Sequence, residues 1–310
     1  MLKLIDRSKK LSLFFYPPVV KKFYEKYPLK IMGSEETVKA LMRGKSLVRF
    51  GEGEIQIITA SLHHAVHDIY FQKGSDKLGK DLLEVLQFKD PKFMLGLPGC
   101  FSSKIGFSHF TTRAKSYWLK TVAKNLPTIA RYLSPSILYA DACVSRPFLD
   151  TQDRKLSEFI FDSFKRLVSG RKVLLIEGEG TRFGVGNDLL SSAEKVQRIL
   201  VPAINAYDKV DEIFELASAQ IEEMGEKTLV LLAAGPAAKI LAYKIFIKNR
   251  VQVIDAGHLD IEYEWFKTAA TRKIPVKGKF VNEARSYDFQ SGLGDEVLTQ
   301  YKSQVIKKII

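Results

Sequence analysis

Short apolar runs alternate with longer stretches of helical spacing along most of this chain. The runs 46–50, 92–97, 137–140, 172–176, 197–201, 228–233 and 251–254 are nearly continuous in branched and aromatic residues, as expected of strands buried on both faces. Helices are predicted from about residue 55, over 113–133 and 153–168, and over 208–224 and 237–248. In 153–168 the residues Leu156, Phe159, Ile160, Phe164 and Leu167 fall on one stripe. Strands that alternate with helices predict an α/β fold: a Rossmann-like, mostly parallel sheet with helices on both faces. No repeat or Pro/Gly/Ser-rich linker divides it. We place the Rossmann-like domain at 45–270, after a basic, aromatic N-terminal segment (1–44) and before a peripheral C-terminal segment (271–310).

Composition changes this picture little, with 46% hydrophobic and 27% charged residues in 310. Charge changes it more. Of the net +13, residues 1–50 hold +8, from twelve Lys/Arg against four Asp/Glu. A basic end suits an anionic partner, and a solvated positive face explains it equally well. Cys100 and Cys143 lie far apart, which argues against a disulfide framework or a zinc site. No apolar run reaches the roughly 18 residues of a membrane-spanning helix. The stretch 11–20 is apolar, but Pro17-Pro18 interrupts it and Lys21-Lys22 stand where a signal cleavage site would lie. The expectation is therefore a cytoplasmic protein. Phe14, Phe15, Tyr16, Phe23 and Tyr24 among lysines suit a peripheral contact with the inner face of an anionic membrane.

In parallel sheets ligands bind beyond the carboxyl ends of the strands, so polar residues just after a predicted strand are the candidates. Arg49-Phe50-Gly51-Glu52-Gly53-Glu54 follows the first run. Glycines before and between two acids let one loop aim both carboxylates at one point, a hard-oxygen pair suited to Mg²⁺ or Mn²⁺. Two solvated loop charges are the plainer alternative. The segment 177–188 carries Gly178, Gly180, Gly184 and Gly186, with Arg182, Asn187 and Asp188 among them. Its exposed N–H groups would cradle a phosphate, and Arg182 would fork onto a diphosphate. Gly178-x-Gly180-x-x-x-Gly184 is one residue longer than the dinucleotide fingerprint, and no Gly-Lys-Ser/Thr follows it. Gly235-Pro236 opens a helix whose N-terminus favours phosphate. In the segment 255–266, Asp260 and Glu264 lie one helical turn apart, and a carboxylate here would serve as a general base or as a further metal or ribose contact. Trp265 and Tyr263 would stack on a sugar or base, or fill the core. His63-His64-Ala65-Val66-His67 lacks the glutamate of a zinc protease and reads as a helix face with histidines.

Taken in order, RFGEGE (49–54), SRPF (145–148), EGEGTRFGVGNDLL (177–190), AAGPAAKILAY (233–243) and DAGHLDIEYEW (255–265) resemble the GT-D-type glycosyltransferases, over roughly residues 45–266. The resemblance implies a Rossmann-like fold and a D-x-E motif that binds Mn²⁺ or Mg²⁺ to hold the diphosphate of a UDP-sugar. It implies glucosyl transfer in assembling bacterial surface glycans or glycoproteins. Carried over, Glu52 and Glu54 are the metal ligands. Arg49, Gly51, Arg182, Gly184, Gly186, Asn187, Asp188, Gly235 and Pro236 bind the donor. Asp260, Glu264 and His258 are the catalytic candidates. Glu52 stands where aspartate is usual, and Ala237 where threonine is common. The acceptor would be a glycan, a glycoprotein or a lipid-linked sugar, with no nucleic acid as partner. Two rival classes remain. One is a Rossmann-type dehydrogenase or methyltransferase, and the other a non-enzymatic module for anionic surfaces or nucleic acid.

Overall fold

The computed structural model describes residues 2–151, 153–284 and 292–309, with side chains from Leu13 onward. Among the described residues all seven predicted strands form, and two edge strands join them. In chain order they are β1 (Lys30–Ile31), β2 (Ser46–Arg49), β3 (Phe93–Leu97), β4 (Leu138–Asp141), β5 (Lys172–Gly178), β6 (Lys195–Val201), β7 (Leu229–Ala233), β8 (Gln252–Asp255) and β9 (Val305–Lys308). The helices are α1 (Leu2–Lys26), α2 (Ser34–Met42), α3 (Glu52–Leu62), α4 (Asp76–Gln87), α5 (Thr112–Ile129), α6 (Arg154–Val168), α7 (Val210–Met224), α8 (Ala237–Asn249), α9 (Leu259–Lys267) and α10 (Asp295–Gln304).

Every pairing is parallel, in the order β1-β4-β3-β2-β8-β7-β5-β6-β9. Alternate residues of each strand feed opposite faces, as the two-residue period requires. Val48, Leu95, Leu174, Ile176, Val230, Leu232 and Val253 pack under α3, α4, α5, α7 and α8. Leu47, Met94, Val173, Leu175, Leu229, Leu231 and Ile254 pack under α2, α6 and α9. Burial on both faces is why these strands read as unbroken apolar runs.

The two flanking segments are more than peripheral. Residues 1–44 supply β1, which pairs with β4, and 271–310 supply β9, which pairs with β6. Both strands are short, and neither has the apolar run that marks a central strand. α1 runs through Pro17 and Pro18, which the sequence reading took as a break. Both prolines are exposed, on the side of α1 away from the core. α3 ends at Leu62, so His63 and His67 share no helix face.

The strand order reverses between β2 and β8, which are joined through the single register pair Leu47↔Ile254. A crevice opens at such a reversal because the loops leaving the two strands run in opposite directions.

Candidate functional site: a cleft at the strand reversal

A cleft of about 980 Å³ lies over that reversal. Its walls come from the carboxyl ends of seven neighbouring strands, through Ala142 and Arg146, Pro98, Gly51 and Glu52, Gly257 and His258, Gly235, Gly178, and Pro202. The volume is at the upper end of small-molecule sites, enough for a large donor with part of an acceptor.

On the floor, Glu52 and Glu54 occupy the first turn of α3 and not an open loop. A helix there sends the two acids in different directions, because residues two apart are about 200° apart around the axis. Glu54 is buried. One oxygen accepts from the Gly51 amide at 2.9 Å and the other pairs with Lys239 at 2.8 Å. Lys239 reaches down from α8 and also lies 3.0 Å from Asp255. Arg49 donates to the Asp255 backbone oxygen at 2.7 Å and pairs with its carboxylate at 3.0 Å. Burial alone would raise the Asp255 carboxyl, but Arg49 and Lys239 override it and hold it below the usual carboxylate range. Gly257 leaves room for this: a Cβ there would sit 1.8 Å from an Arg49 guanidinium nitrogen, at a φ of +49°.

Glu52 faces the cleft, half-buried. Its Oε1 accepts from Gln56 at 2.9 Å and, more weakly, from Thr121 at 3.4 Å. Burial raises its carboxyl above the ordinary value despite these donors. Gly235, at φ +56°, makes the turn into α8, and a Cβ there would stand 2.5 Å from the Phe71 ring. The turn brings the α8 N-terminus to the cleft. His258 sits on the opposite wall. An arginine can only donate, so His258 Nδ1 accepts from Arg146 at 3.0 Å and Nε2 carries the proton toward Glu283 at 2.8 Å. Burial and then Arg146 hold this imidazole below its usual pKa, as a neutral, fixed ring.

The remaining predicted residues gather elsewhere. Asp260 is buried on α9, where it accepts from the Gly184 amide at 2.9 Å and Asn187 at 2.7 Å and pairs with Lys279 at 2.6 Å. Glu264 accepts from the same Asn187 at 2.6 Å and lies 3.1 Å from Lys279. Asp188 accepts from Tyr263 at 2.7 Å. Arg182 donates to the Gly278 carbonyl at 3.0 Å and stacks over Tyr301, and Gly186 abuts Leu293. Neither Asp260 nor Glu264 lines the cleft, nor do Arg182, Gly184, Gly186, Asn187, Asp188 or Pro236. From Arg182 onward the Gly-rich segment therefore ties α9 to the C-terminal segment and does not line the cleft. Only its first part, Gly178 and Thr181, reaches the cleft. Trp265 is buried in the core, with its indole N–H on the Ile274 carbonyl.

The sequence reading missed several cleft residues. Lys239 lies in the first turn of α8, where a lysine carries no signal of its own. Arg146 stood in a quoted motif with no role attached. Arg113, Arg272 and Lys273 line the cleft without a salt bridge among the described residues, and Tyr117 and Trp118 add an aromatic wall. Glu283 is distant in sequence from every strand end.

Among the described residues no three His, Cys, Asp or Glu side chains converge to hold a divalent cation. Both oxygens of Glu54 are engaged, so the expected Glu52–Glu54 pair does not form a clamp. Mg²⁺ and Mn²⁺, however, commonly take one or two carboxylates and complete their shell with substrate phosphates and water. Glu52 fits that demand.

These features define the class: an all-parallel α/β protein with a polar cleft, rich in charged residues of both signs, at its topological switch point. The GT-D glycosyltransferase fold family matches residues 47–284, and the chain belongs to it. It is 31% identical over 284 residues to glycosyltransferase GlyD of Streptococcus pneumoniae serotype 4, across 91% of this chain and 33% of that protein. It is 29% identical to a probable glycosyl transferase, Gly, of Streptococcus gordonii, across 92% of this chain and 39% of that protein. The chain thus spans between a third and two fifths of the length of these curated relatives. Among solved structures, it superposes with TM-score 0.83 on the domain of unknown function 1792, described as having a distinct glycosyltransferase fold. That match has 30% identity and covers 95% of this chain and all of that one. A glycosyltransferase of the same domain type from Streptococcus sanguinis gives TM-score 0.80 at 28% identity, over 91% of this chain and all of that one.

Proposed function

We propose that this chain is a cytoplasmic, metal-assisted hexosyltransferase. In this reading it moves glucose by preference from a UDP-sugar to an acceptor hydroxyl, during assembly of a bacterial surface glycan or glycoprotein. The acceptor is a glycan, a glycoprotein or a lipid-linked sugar, the last reached with the chain against an anionic membrane. One observation carries the reading: in a chain of the GT-D family, the cleft at the strand reversal gathers the α8 N-terminus and three cations that have no acid partner among the described residues.

The chemistry follows from those positions. The α8 N-terminus at Gly235, with Arg113, Arg272 and Lys273, would neutralise the diphosphate as it leaves the anomeric carbon. Mn²⁺ or Mg²⁺ held by Glu52 would supply Lewis-acid stabilisation of that leaving group. Lys239, tied to Glu54 and Asp255, keeps the floor rigid so that no side chain must reorganise as charge develops. Tyr117 and Trp118 offer the acceptor a stacking wall. Asp68 and Asp150 line the cleft with no salt bridge among the described residues, so they replace Asp260 and Glu264 as candidates to take the acceptor proton.

Thermal melting with UDP-, GDP- and CMP-sugars, NAD, S-adenosylmethionine and oligonucleotides, each with and without Mn²⁺, separates this reading from its rivals. A rise with UDP-glucose that Mn²⁺ enlarges is expected, and release of UDP should follow on adding acceptor. Stabilisation by NAD or S-adenosylmethionine alone would overturn it. Glu52→Gln should cut metal-stimulated turnover by about a hundredfold while leaving the melting temperature near that of the parent. Unchanged stimulation by Mn²⁺ would remove Glu52 as the ligand.

A further inference from the structure

α1 is amphipathic over its described side chains. Val20 is buried, and Leu13, Tyr16, Phe23 and Tyr24 pack half-buried against the core beneath. The Tyr24 hydroxyl donates to the Cys100 carbonyl at 2.6 Å, pinning that side in place. The opposite side is open: Phe14 is 77% exposed, Phe15 60% and Val19 39%. Two adjacent phenylalanines this far in water form an apolar patch that no described residue covers.

The charge on α1 and on its neighbour α5 is mainly basic. Lys21, Lys22 and Lys26 are exposed on the same helix, with Glu25 the single acid among the described side chains of α1. α5, which packs against α1, carries Arg113, Lys115, Lys120 and Lys124 and no acidic residue. Arg113, Tyr117 and Trp118 of α5 line the cleft, so one helix connects this surface to the cleft wall. No described helix is long and apolar enough to cross a membrane, so the surface suits lying on a bilayer and not spanning it.

Resting on the membrane contact proposed above, and naming the surface that makes it, we infer that the outer face of α1 seats on an anionic phospholipid surface, with Phe14 and Phe15 in the headgroup layer and the lysines of α1 and α5 over the lipid phosphates. Aromatic insertion and basic charge act together here, because one apolar anchor alone binds a bilayer only marginally. An anionic bilayer meets both halves of the face. A second copy of the chain would bring like charge against like charge.

The test is co-sedimentation of the full chain with vesicles of phosphatidylcholine alone and of phosphatidylcholine mixed with phosphatidylglycerol. Binding to the mixed vesicles should exceed binding to the neutral ones by about tenfold or more, and should weaken as salt is raised. Phe14→Ser with Phe15→Ser, and separately Lys21→Glu with Lys22→Glu, should each lower it by about tenfold. Both pairs lie away from the packed side of α1, so melting temperature should stay at the parent value. Equal binding to the two vesicle types overturns the inference, and so does undiminished binding by both variants. A dimer in sedimentation velocity that Phe14→Ser/Phe15→Ser abolishes would assign the face to a second copy instead. UDP affinity, measured on the same samples, should be unaltered by either pair. The donor reading and the membrane surface therefore stand or fall separately.

Discussion

Glu54 carries much of the order of the cleft floor. Its two oxygens close the first turn of α3 and hold Lys239, and that ammonium in turn neutralises half of Asp255. Removing one member of a buried ion network leaves the others charged in a poor solvent, which costs far more than an exposed pair would. Glu54→Ala should therefore destabilise the chain by about 3–5 kcal/mol in urea unfolding. A loss below about 1 kcal/mol would show that the network relaxes freely. Asp260→Ala should behave alike, because Lys279 would lose its 2.6 Å partner in the core. Any loss of transfer in that variant should follow the loss of folded protein.

Among the elements, α9 and the Gly-rich segment form one unit. Asp260, Glu264 and Tyr263 project from successive turns of α9 to meet Gly184, Asn187 and Asp188. The Tyr263 hydroxyl pulls the Asp188 carboxyl down to about 2, against a smaller opposing effect of burial. A carboxyl depressed in the folded chain adds stability above its unfolded pKa of about 3.9, and the gain disappears as pH falls through about 2. The melting temperature should fall across that window, and Asp188→Asn should flatten part of the fall. Because Asp188 is nearly half exposed, solvent screening keeps the effect small. Parallel pH curves for parent and variant would show that the Tyr263 contact adds nothing.

At the scale of the whole molecule, the cleft exists because loops from seven strands converge. Its cations come from well-separated parts of the chain: Arg113 from α5, and Arg272 and Lys273 from the segment after α9. If they hold the diphosphate, Arg272→Ala and Lys273→Ala should each weaken UDP binding by about tenfold in calorimetry. Arg182→Ala should leave UDP affinity unchanged and lower stability, since Arg182 binds the Gly278 carbonyl and stacks on Tyr301. Weakened UDP binding by Arg182→Ala alone would return the Gly-rich segment to the donor site.

The sequence by itself determined the seven central strands and the rule that places a site beyond their ends, because burial on both faces leaves an unmistakable apolar run. It brought Arg49, Gly51, Glu52, Glu54, Gly235 and His258 to notice for that reason, and all six line the cleft. Only the tertiary structure decided which way each strand-end residue points. Arg182, Asn187, Asp188, Asp260 and Glu264 also follow strands, yet Asn187, Asp260 and Glu264 turn toward one another and Lys279, Asp188 meets Tyr263, and Arg182 meets the Gly278 carbonyl and the Tyr301 ring. The edge strands β1 and β9 carry exposed lysines where a central strand has its apolar run, so they leave no such signal. The partner of a buried charge is set by the packing of distant segments, and a one-dimensional pattern holds no trace of it.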